Sequence, residues 1–355
     1  MAKLKIAERW IGESEPTYFI ADIAANHDGS LDRALRLIEQ AAAAGAAAAK
    51  FQHFRADKIV SRSGFDAMGR QLSHQAKWKK SVFDVYRSAS IPWDWTAALK
   101  KACDGCRIHF LSAPYDLEAV DMLDPYVPAF KIGSGDITWL EELEHVARKN
   151  KPILLATGAS DLIDVQRAVD AVLPINPRLL LMQCNTNYSG QADNFRHIEL
   201  NVLNTYARLY PELVLGLSDH TTGHAVVLGA VALGARAIEK HFTDDRSREG
   251  PDHHFSLEPA AFQEMVQRTR ELENALGTGI KAVQPNEAET VVIQRRCLRA
   301  ARDLPAGTVL KRPDLEPLRP APRDGIFPYD LANVIGRTLR HDVSLGDYLR
   351  WTDLD

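Results

Sequence analysis

The chain reads as an α/β protein, a (β/α)8 barrel followed by a small, mostly-β C-terminal domain, and three observations lead there. Short apolar runs recur along the first three quarters, each followed by a turn and an amphipathic segment of helical length. The dinucleotide fingerprint Gly-x-Gly-x-x-Gly is missing after the first run, where Ala24-Ala25-Asn26-His27-Asp28-Gly29 stands instead, and this counts against an open doubly wound sheet. Beyond Arg295 the texture changes to short strands, prolines and turn signals such as Pro305-Ala306-Gly307 and Arg323-Asp324-Gly325.

In order, the runs are Tyr18–Ala24, Ala47–Phe54, Ile108–Ala113, Ala129–Gly133, Ile153–Thr157, Leu179–Cys184, Leu213–Leu217 and Ala237–Phe242. Eight strand–helix units within roughly 250 residues match the size of a closed parallel barrel. One more helix, Ala260 to Leu276, follows. The expected division is a barrel domain over 1–280, a polar linker over 281–294 and a small domain over 295–355. At about 60 residues the last is near the lower limit for independent folding. A small domain on an extended linker also invites exchange between protomers.

Composition narrows the function classes. The 355 residues carry a formal charge of −4, with basic residues scattered, which argues against a broad nucleic-acid surface. There is no apolar stretch of about 18 residues, and the first residues, Met1 to Pro16, are too polar for a signal peptide. A soluble, cytoplasmic protein without a membrane partner is expected. Four cysteines fit a reducing compartment; Cys103-Asp104-Gly105-Cys106 lacks the second pair that zinc needs and reads as a helix end.

The polar residues that stand out lie where the runs end. His220 and His241 each close a run, and the segment Ala225 to Gly234 between them has helical length, so a barrel puts both imidazoles on one rim. With Asp219, Glu239 and Asp252 near in sequence, they suit a divalent ion of the Mn, Zn or Fe type with positions open to substrate. The plainer alternative is two strand-end histidines that only hydrogen-bond. Lys50 and Lys131 resist a structural reading, because an ammonium group inside an apolar strand end is costly without an anion. Lys131 runs into Ile132-Gly133-Ser134-Gly135-Asp136, whose glycines let backbone N–H groups approach a phosphate or carboxylate. An anionic substrate fits these residues best.

Ordered motifs then carry a resemblance. Ile23-Ala24-Ala25-Asn26-His27, Lys50-Phe51-Gln52, Lys131 to Gly135, Thr157-Gly158, Gly216 to Thr221, Glu239 to Thr243 and Gly250-Pro251-Asp252-His253 resemble the sialic acid synthases, the N-acetylneuraminate synthase-like enzymes. Ala301 to Gly307, Leu318-Arg319-Pro320 and Val334 to Arg337 resemble that family's antifreeze-like (SAF) domain. The resemblance implies a TIM barrel that condenses phosphoenolpyruvate with an N-acyl amino hexose, giving a nonulosonic acid of the sialic, legionaminic or pseudaminic type. It implies that His220 and His241 hold a divalent ion, Mn2+ first, with Mg2+ or Co2+ as alternatives. Lys50, Lys131, Ser134, Ser218 and Thr186 fall at phosphoenolpyruvate positions, and Gln52, His74, Asp136, Tyr188 and Asp252 at sugar positions. Arg319 matches an arginine that reaches the partner subunit's barrel in a domain-swapped homodimer.

This sequence also departs from the pattern. Asp22 stands where the family carries a glutamate given an acid/base role, Ala113 where many relatives have threonine, Ala156 where many have serine, and Thr186 where an asparagine is usual. Segment 73–80 lies where the family places a substrate-covering loop. Two other functions therefore stay open: a metal-dependent pyruvate aldolase, and a sugar-binding relative with reduced catalysis.

Overall fold

The computed structural model describes residues 2–72, 75, 76 and 78–355, and it divides into two compact units, Met1–Gly277 and Thr278–Asp355. The first unit begins with a hairpin, β1 (Lys3–Ile6) and β2 (Arg9–Gly12). Eight parallel strands follow: β3 (Tyr18–Asp22), β4 (Ala48–His53), β5 (His109–Pro114), β6 (Phe130–Ile132), β7 (Ile153–Ala156), β8 (Leu179–Cys184), β9 (Val214–Asp219) and β10 (Ala237–His241). Pairing of β10 with β3 closes them into a barrel in chain order, so each of the eight expected runs supplies one strand.

Local chemistry explains the alternation. Nearly every residue of these strands is buried, as expected for parallel strands covered on both faces. The intervening helices start at side-chain caps: Ser30 accepts from Arg33 N ahead of Leu31–Ala43, Asp116 from Ala119 N ahead of Leu117–Leu123, and Asp161 forms a capping box ahead of Leu162–Val172. The alanine-rich turn after the first helix depends on Gly45, whose φ of +92° suits glycine and whose missing Cβ lets Val266 approach.

Two apolar layers result. Phe19, Phe51, Phe110, Leu155 and Ile238 face the helices, whereas Tyr18, Ile20, Leu111, Leu154, Leu180 and Ala237 fill the bore. Leu4, Ile6 and Ile11 of the hairpin join the bore layer. The N-terminal segment is thus a plug at the barrel end opposite the strand C-termini, a role its polar composition alone does not suggest. Its Lys3-Leu4-Lys5-Ile6 alternation was the available signal.

The second unit holds a helix at Ala288–Gln294 and an antiparallel pair, β11 (Cys297–Ala300) and β12 (Leu315–Leu318). Single bridges such as Leu304–Val343 and Val309–Thr338 extend its β character around a core of Leu298, Leu310, Leu315, Val334 and Leu349. All four cysteines are free, and Cys103 and Cys106 lie at the end of the helix Thr96–Gly105, as expected. Among the described residues no helix is long and apolar enough to cross a membrane.

Candidate active site

Strand register assembles the candidate residues at the C-terminal ends of the barrel strands. Asp22 is the register partner of Lys50 on one side and of His241 on the other, and Ser218 pairs with Glu239. Because side chains alternate along a strand, Glu239 and His241 share one face of β10 while Lys240 takes the other. Lys240 donates to Asp219 Oδ2 at 2.9 Å, and Asp219 also accepts from Thr221 N and Oγ1. Asp219, read from sequence as a carboxylate near the imidazoles, is therefore turned away and committed to an ion pair.

Inside the bore the side chains form one charged cluster. Lys50 Nζ lies 2.8 Å from Asp22 Oδ2 and 3.9 Å from Glu239 Oε2, and Lys131 Nζ lies 3.4 Å from Glu239 Oε1. Lys131 also donates to Ile132 O at 3.1 Å, and Ser218 Oγ donates to Glu239 Oε1 at 3.0 Å. All are buried, so the anions that make the two lysines tolerable include the chain's own. Burial pushes Asp22 above the usual carboxylate range and Glu239's charge adds to this, with Lys50 pulling the other way. Burial acts on Glu239 too, but Lys131 and Lys50 outweigh it and hold that carboxyl low. Glu239 is the hub, a role the sequence reading did not give it. Its position two residues before His241, on the same strand face, was the signal.

The two imidazoles meet above this cluster, with ring centroids 5.3 Å apart. His220 Nδ1 lies 2.9 Å from Asn185 O, which fixes Nδ1 as the donor and leaves Nε2 without a proton in the neutral ring. Burial and the positive charges of His220, Lys50 and Lys131 keep His241 neutral, and its Nδ1 is buried without a hydrogen-bond partner. Burial would lower His220 as well; the Cys184 thiol and the Asn185 carbonyl outweigh it and raise His220. Among the described residues no three His, Cys, Asp or Glu side chains are grouped to hold a metal ion. Two neutral-capable nitrogens, one of them orphaned, fit an ion that takes its remaining ligands from water or substrate oxygens.

Beside Lys131, the loop ends of β6, β7 and β8 come into close contact. Ser134 Oγ accepts from Gly158 N at 2.9 Å, and a Cβ on Gly158 would stand 2.0 Å from Thr186 Oγ1 and 3.0 Å from both Ser134 Oγ and Cys184 Sγ. Ser134 and Thr186 are thus brought together by a backbone approach that only glycine permits. Asp136 is half-buried; burial pushes it up to about 6, and its Oδ2 lacks a partner. Gln52, Tyr188, His241 and Asp252 line a cavity above the rim, and Asp252 Oδ2 accepts from Ala25 N at 3.2 Å.

The remaining candidates have other placements. Asn26 donates to Phe242 O and Ser256 Oγ, stitching the loop after β3 to the chain after β10, while Asp28 bridges His253 at 2.9 Å. Ser112 pairs with His53 beneath the helix Thr96–Gly105 and Thr157 with Tyr206, so both hydroxyls are structural. Ala113 and Ala156 are buried at the ends of β5 and β7, without hydroxyls. Arg319 is an exposed residue of the second unit, just past β12. His74 lies outside the described residues.

Known proteins resemble this chain in sequence and fold. Residues 37–281 match the NeuB family and residues 295–355 match the SAF domain. The chain is 33% identical to the N,N'-diacetyllegionaminic acid synthase of Legionella pneumophila over 97% of this chain and 96% of that one. It is 32% identical to the human N-acetylneuraminate-9-phosphate synthase over 93% and 90%. The structure is similar to that of an N-acetylneuraminic acid synthetase from Leptospira borgpetersenii, with a TM-score of 0.72 and 28% identity over 81% of this chain and 95% of that one. The two relatives' names differ in product at nearly equal identity, so descent does not choose the sugar. It does settle the family: with most of its length matched and its charged cluster built on the strand ends of a closed barrel, the chain belongs to the NeuB family and carries a C-terminal SAF domain.

Proposed function

We propose that the protein is a nonulosonic acid synthase that joins phosphoenolpyruvate to the aldehyde of an N-acyl amino hexose and releases phosphate. The observation that carries this reading is the meeting of two buried ammonium groups, Lys50 and Lys131, at one carboxylate, Glu239, with Asp22 beside Lys50. Burial pushes Asp22 up to about 6, so proton uptake there on binding would leave the cluster with net positive charge for an anion with both carboxylate and phosphate ends.

Each residue then has a task. Lys50 and Lys131 bind the carboxylate and phosphate, with Ser134 and Thr186 donating hydrogen bonds from the adjoining strand ends and Ser218 turning its hydroxyl from Glu239 to the same anion. Phosphoenolpyruvate C3 forms the new bond to the aldehyde carbon while a water oxygen adds to C2, and the resulting tetrahedral centre expels phosphate with cleavage of its C–O bond. Asp22 moves the proton of that water, a role supported by its contacts with Lys50 and His241. Gln52, Asp136, Tyr188 and Asp252 orient the sugar, as does His74. His220 and His241 would hold a divalent ion, Mn2+ first, which supplies Lewis-acid polarisation of the aldehyde when bound. Holding both reactants on one rigid rim replaces a bimolecular encounter by an oriented one. Arg319 reaches the sugar from the partner in a domain-swapped homodimer.

The test is phosphate release from phosphoenolpyruvate with Mn2+ and an N-acyl amino hexose, with the product weighed by mass spectrometry. A product equal to sugar plus pyruvate, with one phosphate per turnover, is expected. Turnover of pyruvate in place of phosphoenolpyruvate would establish the aldolase reading, and sugar binding without turnover the reading as a binding protein.

A further inference from the structure

Each imidazole follows directly on one member of a buried ion pair. Asp219 and Lys240, which precede His220 and His241, are register partners at the ends of β9 and β10, on the strand faces turned away from the bore. Lys240 Nζ donates to Asp219 Oδ2 at 2.9 Å and also to the carbonyl oxygen of Thr221. Asp219 Oδ1 accepts from Thr221 N at 3.0 Å, and Asp219 Oδ2 from Thr221 Oγ1 at 2.9 Å. One ammonium group beside the second imidazole thus grips both chain neighbours of the first.

Stability alone does not account for this pair. Asp219, Thr221 and Lys240 are almost fully buried, on a face where Ile238 and Phe242 pack into the apolar layer. Apolar side chains of similar size would hold that layer at least as well, because both charges have given up their water. What apolar contacts lack is direction: the hydrogen bonds set the height of the chain on either side of His220 against β10. Ring rotation is held separately, His220 by Asn185 O at 2.9 Å and the Tyr188 ring at 4.4 Å, His241 by the Phe255 ring at 4.8 Å. With no third His, Cys, Asp or Glu among the described residues grouped to hold an ion, affinity rests on keeping two nitrogens at one separation beforehand.

Resting on the divalent-ion reading above, we propose that Asp219 and Lys240 are positioning residues, whose ion pair on the outer strand face fixes the separation of His220 and His241 and so preforms the ion site. Removing both charges together leaves the net charge beside the imidazoles unchanged. Ion affinity in Asp219→Asn/Lys240→Met therefore reports ring placement rather than a changed field.

The experiment measures Mn2+ binding to the full-length protein without substrate, from the loss of the free-ion electron paramagnetic resonance signal, and calorimetric binding of phosphoenolpyruvate without metal. The double variant is expected to keep its melting temperature within about 3 °C and its phosphoenolpyruvate affinity, while the Mn2+ Kd rises about tenfold or more. Asp219→Asn alone keeps an acceptor for Thr221 N and is expected to raise the Mn2+ Kd by at least about threefold, which decides the matter should the double variant not fold. An unchanged Mn2+ Kd, or an equal loss of Mn2+ and phosphoenolpyruvate binding, would overturn the inference and leave the ion reading standing. Absence of Mn2+ binding in the parent protein, or equally tight binding by His220→Ala, would overturn the ion reading and the inference with it.

Discussion

Lys131 and Glu239 face each other across the barrel bore, their side chains 3.4 Å apart although β6 and β10 lie four strands from one another in either direction. The contact places charge at the centre of the barrel mouth rather than along one wall. Lys50, from a strand midway between them, reaches the same carboxylate.

Removing that carboxylate exposes the lysines to each other. Glu239→Gln leaves two buried ammonium groups with Asp22 as their nearest anion, and a loss of about 3 kcal/mol in stability is expected. Phosphate or phosphoenolpyruvate should restore more of the melting temperature in the variant than in the parent protein. Equal shifts in both would show that the lysines do not receive the anion.

Gly158→Ala tests the backbone approach beside Lys131. The new Cβ would meet Thr186 Oγ1 at 2.0 Å, so the hydroxyl or the loop must move. The phosphoenolpyruvate KM should rise about tenfold or more, since a misplaced binding group costs at least 1.4 kcal/mol. Unchanged kinetics would remove Thr186 from the anion site.

Glu142 gives a pH signature separate from catalysis. It is buried in the helix Leu140–Arg148 without a partner for either oxygen; burial, with the charges of Asp136 and Asp116, pushes its carboxyl up to about 8. Because the folded value exceeds the ordinary 4.5, its contribution to stability is fully present below about pH 4.5 and is lost as pH rises through 8. Glu142→Leu, of similar size, should therefore stabilise the protein by an amount that grows between these limits to about 2–5 kcal/mol. Denaturant unfolding at pH 5 and pH 8 measures it; a pH-independent difference would mean that the carboxyl is solvated.

His220→Ala should abolish divalent-ion-dependent turnover while the protein keeps its fold by circular dichroism. Retained activity would remove the imidazole pair from metal binding.

Arg319→Ala should raise the sugar KM by about tenfold with little change in that of phosphoenolpyruvate. Mixing it with a subunit disabled at Lys131 should recover part of the activity if the arginine acts in the partner's barrel. An equal effect on both substrates, or no recovery, would leave Arg319 outside the sugar site.

Much of this could be read from the chain. The eight strands were legible because a parallel strand covered on both faces must be apolar almost throughout, and polar residues therefore mark its end. The same contrast exposed Lys50, Lys131, His220 and His241. It could not separate Asp219 from Glu239, since both are acids near a histidine and only the pleat sends one to Lys240 and the other into the bore. Nor could it find that Ile59, Val85, Tyr86 and Ala89 line the cavity, since they come from two short helices, Ala56–Ile59 and Val82–Ala89, that have no special pattern of their own.

The sequence by itself determined the element order, the barrel class and the residue types available at the rim, because these depend on burial and spacing along one strand or helix. Tertiary structure alone decided that Lys131 and Lys50 share Glu239, that the N-terminal hairpin plugs the bore, and that Gln52, Tyr188, His241 and Asp252 line one cavity. Those relations join segments as far apart as Lys50 and Glu239, and they exist only once β10 has paired with β3 and closed the barrel.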